Sequence, residues 1–125
     1  NFTKPSESNL ANYFKTVLYT GNGSTQSITG VGFASDFLWF KNRSTSSTPN
    51  MLYDTLRGVT KTLRSDTTGA ESTDSTALTA FGSDGFSLGA QANVNNNTDS
   101  HVAWAFKAGG TPTATNSEKC WVCSN

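Results

Sequence analysis

The sequence predicts an all-β domain, a two-sheet antiparallel β-sandwich or jelly roll, and three observations carry that prediction. Two runs, Phe37-Leu38-Trp39-Phe40-Lys41 and Val102-Ala103-Trp104-Ala105-Phe106-Lys107, concentrate aromatic side chains in a chain dominated by Thr, Ser, Asn and Gly. In the second run Val102, Trp104 and Phe106 alternate with Ala103, Ala105 and Lys107, the period of two expected of a strand between different surroundings. Turn signals recur about every ten residues along the chain, the spacing of short strands in a sandwich or barrel. Helical spacing of apolar residues is sustained nowhere, and Thr, Ser, Gly and Asn are weak helix formers, so little or no helix is expected.

The elements follow in order. Residues 1–11 are polar, carry Pro5 and read as an N-terminal arm or linker. A first strand spans Tyr13 to Thr20, and Gly21-Asn22-Gly23-Ser24 then turns the chain into a second at Gln26-Ser27-Ile28-Thr29, a predicted hairpin, because Asn and Gly accept positive φ. Gly30-Val31-Gly32-Phe33 connects to the first aromatic strand. A polar loop over 42–50 leads to a strand at Met51 to Leu56, a turn at Arg57-Gly58 and a strand from Val59 to Ser65. Residues 66–76 lack periodicity and read as a surface loop. Leu78-Thr79-Ala80-Phe81, Gly82-Ser83-Asp84-Gly85 and Phe86 to Leu88 form a second hairpin, and an Asn-rich loop over 93–99 precedes the closing strand at 101–107. The domain is therefore placed at 12–108, with a C-terminal linker or tail at 109–125. Trp39 and Trp104 are expected to be core pillars whose loss would unfold the chain.

Composition narrows the function. The chain has 125 residues, enough for one core. Nine Lys and Arg balance nine Asp and Glu, so no basic field exists to attract nucleic acid or anionic lipid. No apolar run has the length for membrane insertion, and the amino terminus lacks the pattern of a secretory signal. A polar, sparsely charged surface of this kind suits extracellular or virion proteins held inside assemblies.

Each candidate for chemistry has a structural reading beside it. His101, the sole histidine, begins the closing strand on the face opposite Trp104; with no Gly-x-Ser-x-Gly and no marked partner it reads as a surface or hydrogen-bonded structural residue. Cys120 and Cys123 flank Trp121-Val122, too few ligands for structural zinc. In a strand, residues three apart lie about 10 Å apart, beyond disulfide reach, so free thiols or an assembly contact are expected. Asp84 and Asp99, with Asn93, Asn95, Asn96 and Asn97, offer oxygen ligands for calcium, but no loop has regular acidic spacing, and turn chemistry accounts for these residues better. No cofactor is indicated. The triplets starting at Asn1, Asn22, Asn42 and Asn96 match glycosylation acceptors and are the chance product of an Asn-, Ser- and Thr-rich chain. Arg43, Tyr53, Asp54 and Arg57 offer a polar sugar site with an aromatic face and planar donors; the competing reading buries Tyr53 in the core and pairs Asp54 with Arg57 across a turn.

The runs Tyr13 to Phe33 and Phe37 to Ser44 resemble a domain of uncharacterised function found in tail-fibre and virion-appendage proteins of marine and other bacteriophages. The likeness continues through Leu52-Tyr53-Asp54-Thr55-Leu56-Arg57-Gly58-Val59-Thr60-Lys61, Phe81 to Gly89, and Val102 to Gly110, covering residues 13–115. That resemblance implies a sandwich of the concanavalin A and laminin-G type, mounted on an appendage at the virion surface, without enzymatic activity. The expected function is thus an adhesin or structural module that assembles with itself and other virion proteins and attaches to a host-surface glycan. Fibre analogy makes it a homo-oligomer, with a trimer as the specific form. Two alternatives stand beside it. An architectural capsid-decoration or filament subunit would bury loops 42–50 and 93–99 in subunit contacts. A depolymerase would need two acids facing one cleft about 5 to 10 Å apart.

Overall fold

A computed structural model describes residues 10–108. After a 3-10 turn at Leu10–Asn12, the chain forms β1 (Phe14–Thr20), β2 (Gln26–Thr29), β3 (Phe37–Asn42), β4 (Met51–Asp54), β5 (Lys61–Arg64), β6 (Ser72–Thr73), β7 (Leu78–Phe81), β8 (Gly85–Leu88), a single turn of helix α1 (Ala92–Asn95) and β9 (Ser100–Phe106). Strands make two antiparallel sheets, a six-stranded one in the order β1-β9-β3-β4-β5-β6 and a three-stranded one in the order β2-β8-β7. The all-β sandwich predicted from the turn spacing is the observed architecture.

The core lies between the sheets. Leu38, Phe40, Met51, Tyr53, Ala103 and Ala105 from the larger sheet meet Leu78, Phe86 and Leu88 from the smaller one, all buried. Phe40 touches Phe86 edge to face at 5.1 Å, and Tyr19 meets the same ring at 5.9 Å, so Phe86 ties both sheets together. Gly85 is set by close approach: a Cβ there would lie 1.8 Å from the Ile28 carbonyl oxygen.

Several expectations are corrected. The two aromatic strands do pair at the centre of the sheet, with Trp39 opposite Trp104, but these tryptophans face away from the core and are half-buried. The core side of β9 carries His101, Ala103 and Ala105, and the two small alanines stand opposite the larger Phe40 and Leu38 of β3. The first expected hairpin does not form. β1 pairs with β9 and β2 with β8, so the Gly21-to-Ser24 turn carries the chain from one sheet to the other. The loop over 66–76 contains the short strand β6, paired with β5. The hairpin at Gly82 to Gly85 and the β4–β5 pair are as expected. Residues 1–9 of the arm, with the triplet at Asn1, and the tail with Cys120 and Cys123 lie outside the described residues.

Candidate functional site

Strand register builds a broad aromatic surface on the outer face of the larger sheet. One row across the strands reads Phe14, Phe106, Phe37 and Asp54; the next reads Thr16, Trp104, Trp39, Leu52 and Leu63; a third reads Leu18, Val102 and Lys41. Cross-strand neighbours on one face lie within side-chain contact. Phe14 and Phe106 have ring centroids 4.9 Å apart, Phe37 and Phe106 5.6 Å, and Trp39 meets Trp104 edge to face at 5.5 Å. The Trp39 indole N–H donates to Asn50 Oδ1 at 3.0 Å, which fixes the ring's orientation. A shallow depression lined by Phe37, Trp39, Phe106, Lys107 and Ala108 opens on this face.

The four residues proposed as a sugar site are separated. Tyr53 is fully buried and points into the core, where burial pushes its hydroxyl pKa up. Asp54 and Arg57 form a clamp at the β4 end: the guanidinium Nε donates to Asp54 Oδ2 at 2.5 Å, and the other nitrogens reach Glu71 and the Leu52 carbonyl. Burial works against the charged carboxylate of Asp54, but the backbone N–H and guanidinium of Arg57 outweigh it and hold its pKa below the usual range. Arg43 follows the opposite end of β3, roughly 20 Å away along the strand at about 3.3 Å per residue. Asp54 alone of the four shares a strand row with the aromatic surface.

The loops at the Arg43 end are a polar mesh. Asp99 Oδ2 accepts from Asn42 Nδ2 at 2.7 Å, Asn96 Nδ2 at 2.7 Å and Thr45 Oγ1 at 3.0 Å. At the other candidate calcium position, Asp84 accepts from the backbone N–H of Gly32 at 2.6 Å and of Gly30 at 3.1 Å. Those donors lower both carboxylate pKa values. Among the described residues no three His, Cys, Asp or Glu side chains converge to hold a metal. Asn95 is the buried hub of its region: its amide donates to Asn22 Oδ1, Ser24 O and Gly89 O, and its Oδ1 accepts from the Asn22 N–H and Gln26 Nε2.

Of the two places expected for His101, surface or hydrogen-bonded structural, the first is corrected, since the side chain is fully buried. It stacks on Tyr19 with centroids 5.3 Å apart, and neither ring nitrogen has a hydrogen-bond partner of normal geometry. Burial lowers its pKa, against opposing pulls from the Asn96 backbone and the Asp99 carboxylate.

The family described as Domain of unknown function (DUF7483) matches residues 9–122. This chain belongs to that family. No curated protein and no solved structure matches the chain. The family match begins just before β1 and includes every strand of both sheets, so the aromatic outer face is a feature of this member of the family.

The sequence reading missed that face because it assigned the tryptophans to the core. One signal pointed the other way. Lys41 is in phase with Phe37 and Trp39, and a charged residue at a strand end marks the solvent side.

Proposed function

We propose that the chain is a non-enzymatic structural and adhesin module of a bacteriophage virion appendage, a tail fibre or similar, displayed at the virion surface. In this reading it assembles with itself and other virion proteins, and its aromatic outer face attaches to a host-surface glycan. The phage setting rests on the resemblance of the strand and turn runs. One observation carries the binding role: Phe37, Trp39, Trp104 and Phe106 line the open side of a six-stranded sheet, where a soluble domain ordinarily places polar side chains. Sugar rings present C–H faces that pack on indole and phenyl rings, while their hydroxyls need polar partners at the rim. Asp54, Asn50 and Lys107 stand at that rim.

The non-enzymatic reading is supported by the carboxylates. A glycosidase acid has a raised pKa, whereas Asp54, Asp84 and Asp99 are all lowered, Asp54 by Arg57 in its own turn and the other two by hydrogen bonds that tie loops together. The apolar character of the same face favours a second reading, an architectural capsid-decoration or filament subunit that buries these rings against a neighbour. A glycan array with the full chain separates the two. Attachment predicts binding that Trp104→Ala weakens at least tenfold while Arg43→Ala, at the far end, leaves it unchanged. A silent array on folded protein overturns attachment and leaves architecture.

A further inference from the structure

We propose that β1 is a self-pairing edge, through which two copies of this chain join their six-stranded sheets into one. The argument starts from the register. Lys107 N–H donates to Tyr13 O at 2.8 Å, and Gly21 N–H donates to Asp99 O at 2.9 Å. Both bonds follow the β1–β9 register, in which Phe14 faces Phe106 and Thr20 faces Ser100. Antiparallel pairs alternate between exchanging both bonds and exchanging none, so the odd-numbered residues of β1 bond to β9. The backbone N–H and C=O groups of Phe14, Thr16 and Leu18 therefore point away from the sheet. Thr20 is set apart, since its carbonyl accepts from Gln26 Nε2 at 3.1 Å. Among the described residues no strand pairs with this outer edge of β1, and the template it offers is Phe14 to Leu18.

The other sheet edges lack this form. β6 has two residues, β2 has four, and the register of β7 shifts between Leu78 and Ala80, the short or irregular edges by which natural sheets avoid one another. β1 has seven residues in unbroken register and contains no proline. Its outer face carries Leu18, 62% exposed.

A second copy fits this edge better than an unrelated strand because antiparallel pairing of β1 with itself is a two-fold, isologous contact. Centred on Thr16, the pairing sets Phe14 opposite Leu18 of the copy, covers that exposed leucine twice over, and matches every outward bonding residue with another. It exchanges about six backbone hydrogen bonds, two per facing pair. Lys15 then faces Val17 of the copy, so no like charges stand directly opposite. Of the two registers one pair shorter, the one centred on Lys15 sets Lys15 against Lys15, which like-charge repulsion disfavours, and the one centred on Val17 leaves Phe14 opposite Thr20, whose carbonyl Gln26 already occupies. The product is a dimer, unlike the trimer of the fibre analogy, with the two aromatic faces side by side on one continuous sheet. A surface glycan with repeating units would then meet two platforms at once.

This inference rests on the self-assembly part of the proposed function, and its failure is distinct from failure of glycan binding. Sedimentation equilibrium of the full chain is expected to give twice the chain mass. Thr16→Pro removes an outward N–H without touching the β1–β9 ladder, so it is expected to keep the native circular dichroism spectrum and to raise the dimer dissociation constant about tenfold or more. Leu18→Lys is expected to do the same by a different route, which covers the case in which the proline variant fails to fold. In a Cys120→Ser, Cys123→Ser background, Thr16→Cys is expected to form an intermolecular disulfide under mild oxidation and Thr20→Cys is not. A monomer at high concentration, a trimer, or a dimer that both Leu18→Lys and a folded Thr16→Pro leave intact would each overturn the proposal. A monomer that still binds glycans would leave the attachment reading standing.

Discussion

Replacing Asn95 by aspartate is expected to destabilise the chain more than replacing it by alanine, although aspartate matches the native shape. The Asn95 amide nitrogen shares its two hydrogens among three acceptors, Asn22 Oδ1 at 3.1 Å, Ser24 O at 2.5 Å and Gly89 O at 2.8 Å, while its oxygen takes two donors. Alanine removes these bonds, each with a net worth of about 0.5–1.5 kcal/mol, the more exposed ones at the low end, and strands the buried Gly89 carbonyl. That puts Asn95→Ala at about 3–4 kcal/mol, a large share of the roughly 5–15 kcal/mol that holds an ordinary domain. Aspartate keeps the two accepting contacts but turns an oxygen toward three oxygens in a buried position, so its cost exceeds that of alanine by about 1 kcal/mol or more at neutral pH. Urea denaturation of both variants at pH 7 measures the order directly. An Asn95→Asp protein equal to or more stable than Asn95→Ala would show that the residue fills space and that its hydrogen-bond pattern does not hold the β1–β2 turn.

Two further outcomes follow from the two faces of the larger sheet. Phe40→Ala, in the core, is expected to cost about 3–5 kcal/mol, and Trp104→Ala about 1–2 kcal/mol because a half-buried ring leaves no closed cavity; thermal unfolding of the pair checks the order, and equal losses would return Trp104 to the core. His101 predicts an acid-sensitive step. Its pKa is lowered in the folded chain from the ordinary 6.5, so the unfolded chain takes the proton first. The stability that rests on a neutral His101 is therefore complete above pH 6.5 and falls as the pH drops below that value. The lowered carboxylates Asp54, Asp84 and Asp99 add their own loss only below their ordinary 3.8. Urea midpoints between pH 7 and 4.5 are expected to fall for the native chain and to stay flat for His101→Phe, which keeps the stack on Tyr19; parallel slopes would refute the assignment.

Local patterns carried the fold class, and contact between distant segments decided what they left open. Turn residues mark the Gly82-to-Gly85 hairpin because a hairpin is a local object, settled by the φ angles that glycine accepts. The same chemistry at Gly21 to Ser24 misled, since whether two flanking strands pair with each other or with strands far along the chain depends on long-range partners. Here β9 occupies the pairing edge of β1, and Asn95 from a distant helical turn holds the loop in place. Face assignment failed for a different reason. Both faces of β3 are apolar, so alternation alone does not say which side is buried. In β9, Lys107 follows the alanines in phase and suggests that they face water, but the strand ends at Phe106, so the lysine does not report on its face. The deciding quantity is volume: Phe40, Tyr53 and Phe86 fill the space between the sheets, which leaves room for Ala103 and Ala105 and none for another indole. A core already filled by large residues from other strands pushes the tryptophans outward, and that displacement creates the half-buried aromatic surface on which the proposed attachment depends.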